Sequence, residues 1–157
     1  MNRNDSLFRV WSPKFQTMFY GSTDKYDVYI YCDGSTMVCK QSIIDTSATL
    51  SRSTGKLDSN NIMLFEYDVI LTKNILNSKI YNQSEIIYKD GQFFIRHMAE
   101  FKKTKKGSFE WQKDLDDSTL YQIHEYFKTA HDEILTVGNT IDDDLEIFYM
   151  TTFQPNL

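Results

Sequence analysis

Glu85-Ile86-Ile87-Tyr88-Lys89-Asp90-Gly91-Gln92-Phe93-Phe94-Ile95-Arg96-His97 is the stretch that decides the fold. Asp-Gly at its centre suits a two-residue type I′ turn, because both central residues of that turn need positive φ. Counting outward from the turn pairs Tyr88 with Phe93 and Ile86 with Ile95 on one face. The other face pairs Ile87 with Phe94 and Glu85 with Arg96, an opposite-charge cross-strand pair. Turn and alternation specify the same register, so this is a β-hairpin.

Working outward, strand signals dominate. Phe8 to Trp11 and Phe15 to Tyr20 are β-prone runs separated by Ser12-Pro13-Lys14, a turn signature. Tyr26 to Lys40 carries a second Asp-Gly, Asp33-Gly34. Read as another two-residue turn, it pairs Cys32 with Ser35, Ile30 with Met37 and Val28 with Cys39, leaving Tyr29, Tyr31, Thr36 and Val38 on the other face. Ile62 to Leu71, Phe109 to Gln112, Ile134 to Val137 and Ile147 to Thr152 are further strand candidates. One helix is expected near 118–131: Leu120, Ile123, Phe127, Ala130 and Ile134 step by three and four, with Asp117 or Ser118 as N-cap. The Ser- and Thr-rich stretch Gln41 to Asn61 separates an N-terminal β part, residues 1–55, from a C-terminal part, residues 56–157. The fold class is mainly β with one short helix.

Composition narrows the functions. The chain has 157 residues, 41% of them hydrophobic and 25% charged, values of an ordinary globular domain with a buried core. The two Trp, 10 Tyr and 11 Phe are an unusual load of rings for this length. No stretch approaches the ~20 apolar residues of a membrane span, and Met1 to Trp11 lacks a signal-peptide core, so the chain is expected to stay in the compartment where it is made. The formal net charge is −5, unevenly spread. Residues 1–109 hold 15 basic and 11 acidic side chains (+4), and residues 110–157 hold 2 and 11 (−9). That asymmetry, with Tyr29 and Tyr31 on a sheet face, favours a homo-oligomer.

Chemistry-bearing constellations are few. Cys32 and Cys39 sit four rungs apart in the expected hairpin, about 13 Å at ~3.3 Å per residue, too far for a disulfide. His124 and His131 are seven apart, whereas helix-borne zinc ligands more often sit three or four apart, and His97 stands elsewhere; no metal site is expected. Glu66 and Asp68 fall on one face of a strand and could do acid–base work only in a cleft. Asp142, Asp143, Asp144 and Glu146 lack the spaced ligands and Gly of a calcium loop and read as a solvated turn. Ser53-Thr54-Gly55-Lys56 lacks the first Gly of a phosphate-binding loop. Lys102, Lys103, Lys105 and Lys106 lie between Phe101 and Phe109, with Trp111 beyond. They read either as a solubilising strand connection or as a grip on a nucleic-acid backbone.

Four segments, in order along nearly the whole chain, resemble the YopX family of phage and prophage proteins. They are Phe8-Arg9-Val10-Trp11 running to Met18-Phe19-Tyr20; Thr54-Gly55-Lys56-Leu57-Asp58-Ser59-Asn60-Asn61 followed by Phe65-Glu66-Tyr67-Asp68-Val69-Ile70; the hairpin Ile86 to Ile95; and Val137-Gly138-Asn139-Thr140. The resemblance implies an N-terminal β part and a C-terminal SH3-like barrel, in a phage-encoded protein of the host bacterial cytoplasm. It implies no activity, catalytic residue or cofactor. The expected role is therefore a non-enzymatic phage accessory protein that contacts a host or phage protein or its own copies. The alternative is nucleic-acid binding through Lys102–Lys106, and an enzyme using Glu66 and Asp68 comes third.

Overall fold

The computed structural model describes residues 2–116, 118–129, 133–141 and 152–153. Among them strands prevail, with one α-helix and a single 3-10 turn at Arg3–Asp5. In chain order the strands are β1 (Phe8–Ser12), β2 (Thr17–Phe19), β3 (Asp27–Ile30), β4 (Thr36–Lys40), β5 (Ile43–Asp45), β6 (Thr49–Leu57) and β7 (Met63–Phe65). They continue with β8 (Asp68–Lys73), β9 (Ile80–Lys89), β10 (Gln92–Lys103), β11 (Phe109–Asp114), β12 (Tyr121–Gln122), β13 (Ile134–Asn139) and β14 (Thr152–Phe153). The helix, α1, is Ile123–Thr129.

The Asp90-Gly91 hairpin has the register that its turn specifies. Tyr88 faces Phe93, Ile87 faces Phe94, Ile86 faces Ile95 and Glu85 faces Arg96 across β9 and β10. Both turn residues have positive φ, 51° at Asp90 and 80° at Gly91. This hairpin is the centre of a sheet ordered β13-β8-β9-β10-β11-β14, with β12 on β10. The register shifts between His97 and Ala99, between Glu100 and Phe101 and between Thr136 and Gly138. Such irregularities bend strands and increase twist, which curls the sheet. Alternation then sorts the side chains. Leu71, Tyr81, Ala99, Phe101, Phe109 and Leu135 form one core cluster, while Leu64, Ile70, Ile86, Ile95 and Ile123 form another.

The N-terminal residues build two smaller sheets, β2-β1-β6-β7 and β3-β4-β5. Val10, Phe19, Val38 and Leu50 make their shared core, with Phe15 and Tyr26 packed against it. Residue 55, where the two parts divide in the sequence reading, lies inside β6, which pairs with both β1 and β7.

Three sequence expectations are corrected. In the first hairpin the pairs are Asp27↔Cys39, Val28↔Val38, Tyr29↔Met37 and Ile30↔Thr36, one residue away from the expected register. Gly34 N–H donates to Tyr31 O and Tyr31 N–H donates to Ser35 O, both at 2.9 Å, and of the Asp-Gly pair only Gly34 has positive φ. This is a three-residue loop, a type I turn closed by a left-handed glycine, and the extra residue flips the faces. Val28, Thr36 and Val38 point to the core, and Tyr29, Met37 and Cys39 point away. Both cysteines are free thiols, Cys32 in the exposed loop and Cys39 in β4.

The helix is shorter than 118–131. Tyr121 and Gln122 pair with Ile95 and Phe94 instead, because the open edge of β10 offers backbone partners that outweigh weak helix propensity. Gln122 takes over the capping role, its Oε1 accepting from Glu125 N–H at 3.0 Å. Ile134 begins β13, and Ala130, His131, Asp132 and Asp117 lie outside the described residues. Ile62 to Leu71 is two strands rather than one, broken at Tyr67, whose φ is 70°.

Asp45 ties β5 to the β1–β2 turn. Its carboxylate accepts from the Ser12 hydroxyl, from Lys14 N–H at 3.1 Å and from Ser47 N–H at 2.8 Å. Burial pushes its pKa up, but these donors and the Lys14 charge outweigh burial and hold the carboxyl below its ordinary value. A depressed folded pKa contributes stability that is present above the unfolded value, ~3.9, and is lost as pH falls through the folded value. Asp45→Asn is therefore expected to cost about 1–2 kcal/mol at pH 7. The gap between its melting temperature and that of the native protein should narrow progressively as pH falls below ~3.9; thermal melts at pH 7 and at successively lower pH check this, and a constant gap throughout would contradict it.

Candidate functional site

The two carboxylates expected on one strand face are held apart and neutralised. Left-handed Tyr67 sits between them and turns Glu66 toward β6 and Asp68 toward β1. Asp68 is buried. Its Oδ2 lies 2.7 Å from Arg3 Nη2 and accepts from Phe65 N–H at 2.7 Å, while its Oδ1 lies 2.9 Å from Arg9 Nη1. The last contact has ion-pair distance without the alignment of a hydrogen bond. Arg9 is also buried, donates to Glu66 O at 3.1 Å and stacks over the Phe65 ring with Arg3, at 5.0 and 5.3 Å. Glu66 pairs with Arg52 at 3.0 Å, and the Arg52 guanidinium lies 4.5 Å from the Tyr88 ring centroid. A carboxylate buried between two guanidiniums is closed off from a substrate proton. The pair is a structural clamp joining β1 and β6 to the β7–β8 turn, and nothing in this geometry is general acid–base machinery.

The histidines are likewise scattered. His124 is exposed, its Nδ1 3.3 Å from Lys56 Nζ, and His131 lies outside the described residues. His97 packs against Tyr121 and Tyr126 at ring-centroid distances of 4.9 and 5.5 Å, beside a cleft of about 230 Å³ lined by Asn82, Lys73 and Ile75. Its Nδ1 lies 2.7 Å from Ser84 Oγ, a serine–histidine contact. Ser84 is wholly buried in β9, so its hydroxyl cannot reach a substrate. Among the described residues no group of three His, Cys, Asp or Glu could hold a metal ion. Asp142 to Glu146 lie outside the described residues. Ser53 to Lys56 belong to strand β6 and form no phosphate loop.

Two surfaces remain. The first is basic. Lys102, Lys103 and Lys105 line an open cavity of about 540 Å³ together with Lys79, Ser78, Thr104 and Glu110. Lys106 is not among its walls. The sequence reading missed Lys79, which the Asn77–Ile80 turn delivers next to β10: Lys103 N–H donates to Lys79 O at 2.9 Å. Nothing in the sequence spacing of 79 and 103 signals that approach.

The second surface is apolar. Leu7, Phe8, Val10, Phe19, Val28 and Ile30 line a groove of about 320 Å³ between β1, β2 and β3. Leu7 is 74% exposed, Phe8 41% and Ile30 41%, so the groove has a greasy rim. It borders β3, an outer strand of its sheet, whose outward face presents Tyr29.

The family profile described as YopX protein matches residues 7–116, over two thirds of the chain. No curated protein matches this chain. A crystal structure of protein EF1440 from Enterococcus faecalis is similar, with 20% sequence identity and a TM-score of 0.42, over 87% of this chain and 93% of that one. Among the described residues no helix is long and apolar enough to cross a membrane. The profile match covers the F-R-V-W start, the turn at Tyr67 and the Asp90-Gly91 hairpin, and by it this chain belongs to the YopX family.

Proposed function

We propose that this chain is a non-enzymatic protein-interaction module, a phage or prophage accessory protein acting in the bacterial cytoplasm, whose working surface is the apolar groove between β1, β2 and β3. The observation that carries the reading is the rim of Leu7, Phe8 and Ile30 round a cavity of about 320 Å³. Its partner is a second copy of the chain. In support, β3 is an edge strand with exposed Tyr29 and Ile30, and covering such an edge removes unpaired backbone and apolar area together. The +4 and −9 halves add complementary fields that orient the copies. The bends in β10, β11 and β13 support a C-terminal part closed as a small SH3-like barrel, a rigid base for that surface. The phage origin rests on the family.

Light scattering on a size-exclusion column at micromolar concentration tests it. The expected mass is twice 18.5 kDa or a higher multiple, and Leu7→Asp with Ile30→Asp should give a folded monomer whose melting temperature no longer depends on protein concentration. A monomer of the native chain at both low and moderate salt overturns the reading.

A further inference from the structure

The basic cavity supports a second, separate binding function. Lys79, Lys102 and Lys105 are exposed at its walls, and among the described residues none of them has a carboxylate within ion-pair distance. Lys103 differs. Its ammonium lies 3.3 Å from Glu133 and 5.6 and 5.8 Å from the Tyr81 and Phe109 ring centroids, so it is fixed as part of the wall. Among the described residues Glu110 is the one acidic side chain lining the cavity, and it neutralises at most one of these three charges. Among the described residues, three cations without a paired carboxylate round one concavity concentrate positive potential there, in a chain whose net charge is −5. Thr104 closes the rim with its hydroxyl 2.7 Å from Ser108 Oγ, and Ser78 adds another hydroxyl.

We infer that this cavity holds the phosphodiester backbone of a nucleic acid. Lysine is a flexible point charge suited to phosphate oxygens, and among the described residues the cavity wall holds no Arg, Asn or Gln to read base edges. Binding is accordingly sequence-independent and steeply salt-dependent. Three phosphate contacts give a log–log salt slope of about −2 for a single strand, so affinity falls about 20-fold between 50 and 200 mM salt.

Fluorescence anisotropy with a labelled 20-nucleotide single strand, its duplex and poly-glutamate as competitor tests this. The native chain should bind the strand with the stated slope, with little sequence preference. Lys79→Gln, Lys102→Gln and Lys105→Gln together should remove most of the binding and flatten the slope, while Lys25→Gln, in the β2–β3 connection, should not. Because these side chains are exposed, the triple variant should keep its melting temperature; should it fail to fold, Lys105→Glu alone must still weaken binding several-fold. No binding at 50 mM salt, an unchanged slope in the triple variant, or poly-glutamate competing as well as nucleic acid each overturns the inference.

Discussion

Asp68→Ala is expected to destabilise the protein by about 3–5 kcal/mol, because it leaves the Arg9 guanidinium buried without its counter-charge. Arg9 is fully enclosed, and its other polar contact is Glu66 O. Once Asp68 is gone, the cation sits in a site that the native fold closes to solvent, and the Phe65 ring offers only partial compensation. At ~2–4 °C per kcal/mol for a chain of this size, the melting temperature should fall by about 10 °C. Arg3→Ala makes the contrast. Its side chain is partly exposed and Asp68 keeps Arg9, so the loss should be about 1 kcal/mol. Urea unfolding of both variants decides the matter, and equal losses would mean that Arg3, not Arg9, anchors the clamp. Replacing Arg9 and Asp68 together by apolar residues of similar volume should cost much less than Asp68→Ala alone, since no orphaned charge then remains.

That clamp shows where sequence reading stops. The Asp90-Gly91 hairpin was legible because its register is local: a two-residue turn and an alternating pattern carry the same information. The first hairpin has the same dipeptide, yet its turn contains one residue more. The alternation from Tyr26 to Lys40 is apolar on both faces, with Val28 and Ile30 opposed by Tyr29 and Tyr31, so a one-residue slip left no hydrophobic penalty to reveal it. Leu120 to Ile134 had helical spacing, but β10 had an unpaired edge, and the pairing of Tyr121 with Ile95 is invisible without that edge. The site residues divide in the same way. Lys102 to Lys106 were found as a run, whereas Lys79 reaches them through a turn 23 residues earlier than Lys102. Glu66 and Asp68 stay open as an acid–base pair in the sequence because their neutralising arginines come from other segments: Arg3 from the 3-10 turn, Arg9 from β1 and Arg52 from β6. Position along the chain carries no trace of which cation will close on which carboxylate.

Phe101→Ala carries the other large effect, an expected loss of about 3–5 kcal/mol. The ring is fully buried among Leu71, Tyr81, Ala99, Phe109 and Leu135. Removing it forfeits its burial energy and leaves a cavity that strands pinned on both sides cannot collapse to fill. β10 is hydrogen-bonded to β9 along one edge and to β11 and β12 along the other, so the backbone round residue 101 has little freedom to relax. Leu76→Ala, at a side chain 93% exposed, should change stability by no more than about 0.5 kcal/mol. The shape of the Phe101→Ala melt tests a further point. Phe101 belongs to the C-terminal core, whereas Val10, Phe19, Val38 and Leu50 make the N-terminal one. Because the Arg9–Asp68 clamp and β6 join the two, Phe101→Ala should shift a single transition in both tryptophan fluorescence and circular dichroism. Two separated transitions would mean that the N-terminal sheets fold without the C-terminal core, and that the clamp is too weak to couple them. Combining Phe101→Ala with Asp68→Ala should then be the variant in which a second transition first appears, since it weakens one core and cuts its tie to the other.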